Sequence, residues 1–203
     1  MNIRVLHLGL IKTNCYLIES EEAAVVIDPG FQSPEAKAFL QAAGGKERLI
    51  LITHAHFDHI GGAEALRAAT GVPIGIGKDD AADLADPVKN LSERFHAHVA
   101  PFAADRLFAD VETVTVGDLA FRVITTPGHT VGGVAYLFGD ILFSGDTLFE
   151  GAVGRTDFPG GDIKTLKKSV KRLMTLPHET RVYPGHGDIT TIAREKENNL
   201  FAW

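Results

Sequence analysis

Histidine and aspartate are concentrated in one ten-residue stretch of the sequence, THAHFDHIGG at positions 53–62. Four of its residues offer an imidazole nitrogen or a carboxylate oxygen, namely His54, His56, Asp58 and His59. Such atoms at this spacing are typical ligands of zinc and related ions. The stretch follows the apolar run RLILI (48–52), which is typical of a buried strand. Residues 53–62 therefore predict a metal site where a strand ends.

Three further apolar runs also end in a histidine or an aspartate that follows a glycine. They are VITT-PGH, ILFS-GD and RVY-PGH, which end at His129, Asp146 and His186. A glycine at the end of a strand leaves the next side chain at the rim of the sheet with little steric cover. If the four strands end on one side of a sheet, a single site gathers seven side chains: His54, His56, Asp58, His59, His129, Asp146 and His186.

Seven such ligands are too many for one tetrahedral ion with an open position, and they suit two ions that share a bridging carboxylate. Only nitrogen and oxygen are offered. The sequence therefore predicts two divalent transition-metal ions, zinc in the first place, with iron and manganese as alternatives. The four remaining histidines lie outside these motifs and are interpreted as ordinary polar residues: His7, His96, His98 and His178.

Short strands and helices alternate between these motifs. Hairpins are predicted at 117–118 and 139–140, where Gly-Asp joins two apolar runs. Helices are predicted after Ser33, across 63–70, and across 163–176 with Asp162 as the N-terminal cap. Residues 77–110 have the least pattern and are interpreted as a short helix and a long loop that could lie over the site.

The composition limits the class of protein. Hydrophobic residues make up 45% of the 203 residues, which indicates a globular chain, and we expect one domain over residues 1–203. The formal net charge of −6 gives no reason to expect a nucleic acid or an anionic membrane as a partner. Cys15 is the one cysteine; it is interpreted as a small core residue, and a reducing, cytoplasmic location is expected.

The motifs T-H-A-H-F-D-H (53–59), PGHT, SGDTLF and YPGHG resemble those of the metallo-β-lactamase superfamily, and they occur in the same order. The resemblance implies an α/β fold, the αββα four-layer sandwich, with the metals at one edge. It implies that Asp28, in VVIDPG, braces the histidine loop and that Asp146 bridges the two ions. The other ligands are assigned by ion: His54, His56 and His129 to the first, and Asp58, His59 and His186 to the second.

Within this superfamily, GAVGRTDFPGGD (151–162) and PGHGDITTIAREKENN (184–199) resemble small hydrolases of the glyoxalase II type. That resemblance implies hydrolysis of small thioesters of the hydroxyacylglutathione type, with a metal-bound hydroxide as the nucleophile. With one ion only, Asp58 could orient the water and act as the base. Relatives also imply that Arg155 binds a substrate carboxylate; the alternative is that Arg155 pairs with Asp157 and shapes its loop.

Enzymes of the glyoxalase II type carry a further C-terminal helical domain, whereas this sequence ends at Trp203, seventeen residues after His186. We therefore expect the thiol part of the substrate to be held differently here. Two other functions remain open. A persulfide dioxygenase, which shares the GRTDF stretch, would use a single iron held by His54, His129 and Asp146. A non-catalytic metal-binding domain would carry the same ligands without a substrate.

Overall fold

The computed structural model describes residues 1–202 and contains two six-stranded β-sheets that pack face to face. The strands of the first sheet are hydrogen-bonded in sequence order: β1 (Asn2–Leu8), β2 (Thr13–Glu19), β3 (Ala23–Ile27), β4 (Glu47–Ile52), β5 (Ile74–Gly77) and β6 (Arg106–Phe108). From β3 to β6 the strands run parallel. Parallel strands are covered on both faces, which explains why all five residues of β3 are apolar and buried.

The second sheet has the strand order β14-β13-β10-β9-β8-β7. Its strands are β7 (Thr113–Val116), β8 (Leu119–Thr125), β9 (Val134–Phe138), β10 (Ile141–Gly145), β13 (Arg181–Pro184) and β14 (Thr190–Thr191). The pairs β7–β8 and β9–β10 are antiparallel, which confirms the two predicted hairpins. A separate antiparallel pair is formed by β11 (Leu148–Phe149) and β12 (Ala152–Val153).

Helices cover the outer faces of both sheets. The α-helices are α1 (Pro34–Ala42), α2 (Phe57–Ile60), α3 (Ala63–Thr70), α4 (Ile163–Leu173) and α5 (Ile192–Asn198). One apolar cluster joins the first sheet to α1 and α3, a second lies between the two sheets, and a third joins the second sheet to α4 and α5. The fold is therefore the αββα four-layer sandwich that the resemblance implies. In the part of the chain that the structure describes, no helix has the length and apolar character needed to cross a bilayer.

Helix α4 begins as predicted and ends earlier than predicted. The side chain of Asp162 accepts the backbone N–H of Thr165, which confirms the N-terminal cap. The prediction that the helix extends to residue 176 was wrong, because α4 ends at Leu173. Beyond that point Thr175 and Leu176 donate to carbonyls three residues back, so the chain tightens into turns.

The prediction for residues 77–110 was incomplete. The short helix is a 3-10 helix, Lys78–Ala85, and a long irregular stretch follows it, but strands β5 and β6 were not predicted. Strand β5 has the sequence IGIG, and glycine disfavours strands in isolation. Here Gly75 is required by packing, since a Cβ atom at this position would lie 2.4 Å from the ring of Phe108.

The strand ends that carry the chemical motifs meet at one edge of the sandwich. In the first sheet, β3, β4 and β5 are parallel and therefore end on the same side. In the second sheet, β10 is antiparallel to β9 and parallel to β13, so β8, β10 and β13 also end together. The N–H of Val134 donates to the carbonyl of Thr53 at 2.9 Å, which joins the end of β4 to the second sheet.

Tyr136 links the packing of the two sheets to this edge, and its substitution gives a test. Its fully buried hydroxyl donates to the carbonyl of Ile52 at 2.7 Å, at the end of β4. We expect Tyr136→Phe to lower the free energy of unfolding by about 1 kcal/mol in denaturant titration, because one buried hydrogen bond is lost. Tyr183→Phe is the control, since the hydroxyl of Tyr183 makes no hydrogen bond within residues 1–202. Equal losses in the two variants would contradict a stabilising role for the bond between Tyr136 and Ile52.

Candidate metal centre

The structure brings all seven predicted ligands to this edge. Their ligand atoms form three groups, each with its members within 4.8 Å of one another: His54 with His56 and His129; His54 with His59 and Asp146; and Asp58 with His59 and His186. The groups overlap at His54 and His59, so the residues assigned to the two ions are neighbours. Asp146 lies between them, with Oδ1 3.3 Å from His59 Nε2 and Oδ2 3.5 Å from His129 Nε2.

Several of these atoms are buried without a hydrogen bond. Among the described residues this holds for Nε2 of four histidines and for one carboxylate oxygen: His54, His56, His59, His129 and Asp146 Oδ1. His59 Nε2 lies near Asp146 Oδ1, but the geometry is not that of a hydrogen bond. Buried polar atoms in proteins nearly always have a partner, and a set of unpartnered nitrogens that converge on one space fits metal ions.

The local chain geometry explains the spacing of the first motif. His54 and His56 follow β4 in an extended segment, and His56 is the residue directly before α2. Asp58 and His59 lie in the single turn of α2, which aims them at the neighbouring group. The turn fits tightly against the loop after β3, since a Cβ atom at Gly30 would lie 1.5 Å from the carbonyl oxygen of Asp58.

Asp28 braces the histidine loop, as the resemblance implies. Its carboxylate accepts the backbone N–H of Thr53 at 2.7 Å, the hydroxyl of Thr53 at 2.6 Å and Nδ1 of His59 at 2.9 Å. The last contact leaves Nε2 of His59 to face the site. A carboxylate on the far nitrogen of a histidine is the usual outer partner of a metal ligand, because it fixes the tautomer and the orientation of the ring.

Similar contacts orient the other histidines. Nδ1 of His129 lies 2.7 Å from the backbone carbonyl of Arg155, and Nδ1 of His54 lies 3.1 Å from the hydroxyl of Thr53. Nδ1 of His186 lies 3.3 Å from the backbone carbonyl of Ile11, while its Nε2 faces Asp58 Oδ2 at 3.1 Å. These outer contacts therefore hold the rings of His54, His59, His129 and His186 with Nε2 directed into the cluster.

The cluster has two halves, one formed by His54, His56 and His129 and the other by Asp58, His59 and His186, and they differ in charge. Burial lowers the pKa of His56 to about 3, and burial together with nearby imidazoles lowers the pKa of His54, so both rings are neutral at neutral pH. Metal ligation requires this neutral form. Burial acts in the same direction on His59, but the adjacent carboxylates of Asp58 and Asp146 raise the pKa of His59 well above its usual value. The half around His59 thus favours positive charge.

The carboxylates are ionised. Burial raises the pKa of Asp146, but the charge of His59 outweighs it and lowers that pKa to about 2. The same opposition, burial against His59, holds the pKa of Asp58 well below its usual value. Two ionised carboxylates in a buried site are costly unless cations neutralise them.

The other predicted residues lie outside this cluster. The four histidines interpreted as ordinary polar residues are all exposed, and His7 bonds Asn14 at 2.8 Å. Arg155 is more than half exposed and forms a bidentate ion pair with Asp157, at 2.7 and 2.6 Å. Sequence reasoning missed Asp80, which is fully buried beside the cluster. The signal was present, since Asp79-Asp80 also closely follows a strand, β5.

Comparison with known proteins agrees with this geometry. The model of the metallo-beta-lactamase superfamily matches residues 8–186, and the chain belongs to that superfamily. It is 34% identical to the probable metallo-hydrolase YqgX of Bacillus subtilis over 99% of this chain and 97% of that protein. It is 33% identical to the hydroxyacylglutathione hydrolase GloC of Haemophilus influenzae, over 99% and 98% of the two chains.

Solved structures are also similar. The B3 metallo-beta-lactamase BLEG-1 has a TM-score of 0.88 at 37% identity, over 99% of both chains. A di-iron-bound form of TTHA1623 has a TM-score of 0.86 at 38% identity, over 98% of this chain and 99% of that one. ETHE1 from Myxococcus xanthus has a TM-score of 0.80 at 35% identity, over 100% and 85%. The protein is thus a metal-dependent hydrolase of this superfamily at the level of class.

Asp146 provides the sharpest test of the cluster. We expect Asp146→Asn to weaken metal binding more than the roughly 10–100-fold typical of an outer partner, because a neutral amide is a poor substitute for a shared carboxylate. The measurement is elemental analysis of folded protein after dialysis against limiting zinc. His98→Ala, which removes an exposed histidine, is the control and should retain the metal content of the unchanged protein. Equal metal loss in both variants would contradict the separation of the histidines into metal ligands and ordinary polar residues.

Proposed function

We propose that the protein hydrolyses small thioesters of the hydroxyacylglutathione type with two divalent metal ions. The observation that carries the proposal is that two ligand groups, one of His54, His56 and His129 and one of Asp58, His59 and His186, adjoin with Asp146 between them. The similarity of this chain to GloC, over nearly the whole of both chains, supports the substrate class. The similarity to a di-iron form of TTHA1623 supports two ions, with zinc as the proposed metal and iron or manganese as alternatives.

We divide the proposed ligands between the two ions as the resemblance implies. His54, His56 and His129 would hold one ion, Asp58, His59 and His186 the other, and Asp146 would contact both. Two such cations would lower the pKa of a bound water and would stabilise the negative charge that develops on a carbonyl oxygen.

Where only one ion is bound, Asp58 is proposed as the residue that orients the attacking water. It is ionised, so it can accept a proton or a hydrogen bond but cannot donate one. Thr13, His59 and His186 all lie within 3.3 Å of its Oδ2, which leaves Oδ1 available. The carboxylate is thereby fixed in direction, as a positioned base requires.

The proposed substrate entrance lies beside His56. The ring of Phe158 is 6.0 Å from the rings of both His56 and Phe95. Two guanidinium groups lie over Phe158, that of Arg155 at 4.0 Å and that of Arg94 at 5.3 Å from the ring centroid. Asp157 uses Nε and Nη2 of Arg155, so its Nη1 can still donate to an anion. An acidic thioester suits this combination of apolar and positive groups.

A second candidate, oxygen chemistry on a persulfide at a single iron, also has support in the geometry. His54, His129 and Asp146 lie together as two histidines and one carboxylate, the set used by many mononuclear iron oxygenases. That assignment gives no ligand role to four buried or half-buried residues: His56, Asp58, His59 and His186. Hydrolysis is therefore the better-supported function.

The two functions are separated by their products. We expect the zinc-loaded protein to release thiol from S-lactoylglutathione, and the iron-loaded protein to consume no oxygen with glutathione persulfide. Thiol release and oxygen uptake are measured on the same preparation, beside a β-lactam as a third substrate. Oxygen uptake equal to the persulfide added, without thioester cleavage under zinc, iron or manganese, would favour the second candidate. Cleavage of the lactam alone would contradict both.

Arg155 gives a test of the entrance. We expect Arg155→Ala to raise KM for acidic thioesters about fivefold relative to neutral ones, which corresponds to roughly 1 kcal/mol for a half-exposed ion pair. The backbone carbonyl that holds His129 is retained in this variant, so kcat should change little. Arg4→Ala is the matched control, because Arg4 is also exposed and lies 5.4 Å above the ring of Phe39, away from the site. An unchanged preference for acidic substrates would leave the ion pair with Asp157 as the sole role of Arg155.

A further inference from the structure

Asp80 is a fully buried carboxylate that reaches two ligand loops at once. Its Oδ2 accepts the backbone N–H of Ala55 at 3.2 Å and the hydroxyl of Thr130 at 2.7 Å. Its Oδ1 accepts the backbone N–H of Gly132 at 2.5 Å. Ala55 lies between His54 and His56, while Thr130 and Gly132 lie one and three residues after His129. The three bonds therefore end next to the three histidines of one ligand group.

The fit between Asp80 and the loop after His129 leaves no spare room. A Cβ atom at Gly132 would lie 2.1 Å from the backbone nitrogen of Asp80. Only glycine allows the loop to approach so closely that both its N–H and the hydroxyl of Thr130 reach the carboxylate. The contact is thus made by the backbone of each loop as well as by a side chain, and it fixes the loops relative to one another.

Asp28 and Asp80 contact different parts of the cluster. Asp28 contacts Thr53 and His59, and so supports the start of the histidine loop and the group that contains His59. None of the hydrogen bonds of Asp80 within residues 1–202 involves Asp58, His59, Asp146 or His186. The two carboxylates come from the ends of β3 and β5, on either side of β4, which carries the histidine loop.

We propose that Asp80 is a positioning residue that holds the loop of His54 and His56 in register with His129, and so sets the metal affinity of this ligand group alone. The inference rests on the proposed metal binding and goes beyond it by assigning the two halves separate supports. Three donors converge on Asp80, two N–H groups and one O–H group. A carboxylate accepts all of them, whereas the NH2 of an amide would face one of the N–H groups.

The test compares Asp80→Asn with Glu195→Gln. Glu195 is the matched control because it is also fully buried and also accepts three hydrogen bonds, from Gly151, Thr190 and Asn199, but it lies in α5. Both exchanges replace a buried carboxylate by an amide and should lower the melting temperature. Only Asp80→Asn should alter metal binding if Asp80 is a positioning residue.

Zinc affinity is measured by competition with a chromophoric chelator. The unchanged protein gives the number of ions. A His186→Ala background removes one ligand of the group of Asp58, His59 and His186 and keeps the group of His54, His56 and His129 complete. In that background we expect Asp80→Asn to weaken zinc binding about 10–100-fold and to change the visible spectrum of bound cobalt. Glu195→Gln should change neither. Thr130→Val removes one of the three bonds and keeps the carboxylate, so it should also weaken zinc binding. It provides the test if Asp80→Asn does not fold.

The outcomes separate this inference from the proposed function. The positioning role would be overturned if Asp80→Asn left the zinc affinity and the cobalt spectrum unchanged. If Asp80→Asn does not fold, the same result in Thr130→Val would overturn it. Changes of equal size in Glu195→Gln would overturn it as well. Weakened binding at this group in a protein that cleaves no thioester would support the positioning role and overturn only the proposed substrate. A protein that binds no metal at all would overturn both.

Discussion

The structure depends on one electrostatic constraint: ionised carboxylates and unpartnered imidazole nitrogens are buried together at an edge of the sandwich. Each buried polar atom without a hydrogen bond costs about 1–3 kcal/mol. Here five such atoms converge, beside Asp58, whose pKa is held low by His59. The rest of the fold must keep these groups in place against their tendency to return to water. Three apolar clusters, one between each pair of adjacent layers, provide that support.

The support is transmitted through a shell of hydrogen bonds rather than through the ligands themselves. Asp28 acts on Thr53 and His59, and the carbonyl of Arg155 acts on His129. These partners come from several strand ends and from a loop far along the sequence. The ring orientations are therefore a property of the assembled sandwich, and no short segment of the chain could produce them alone.

The residues of the cluster could be predicted from the sequence because each one is marked locally. His54, His129 and His186 all follow an apolar run and a turn, and that pattern survives without knowledge of the fold. Asp80 carries a weaker mark, because β5 is short and interrupted by glycines whose role is close packing against Phe108 and Val134. Its partners are 25 to 52 residues away. The parallel pairing of β4 with β5 brings Ala55 close to Asp80, and the packing of the second sheet against the first brings Thr130 and Gly132. The end of α4 was also beyond local signals, since apolar residues continue past the point where the backbone tightens.

The backbone carbonyl and the side chain of Arg155 have separate roles. Its carbonyl oxygen fixes the ring of His129, while its side chain lies over Phe158 at the outer surface. Every amino acid has the carbonyl, so a change of side chain at this position leaves the support of His129 intact. The charge displayed on this part of the surface can consequently change in evolution while the ring of His129 keeps its orientation.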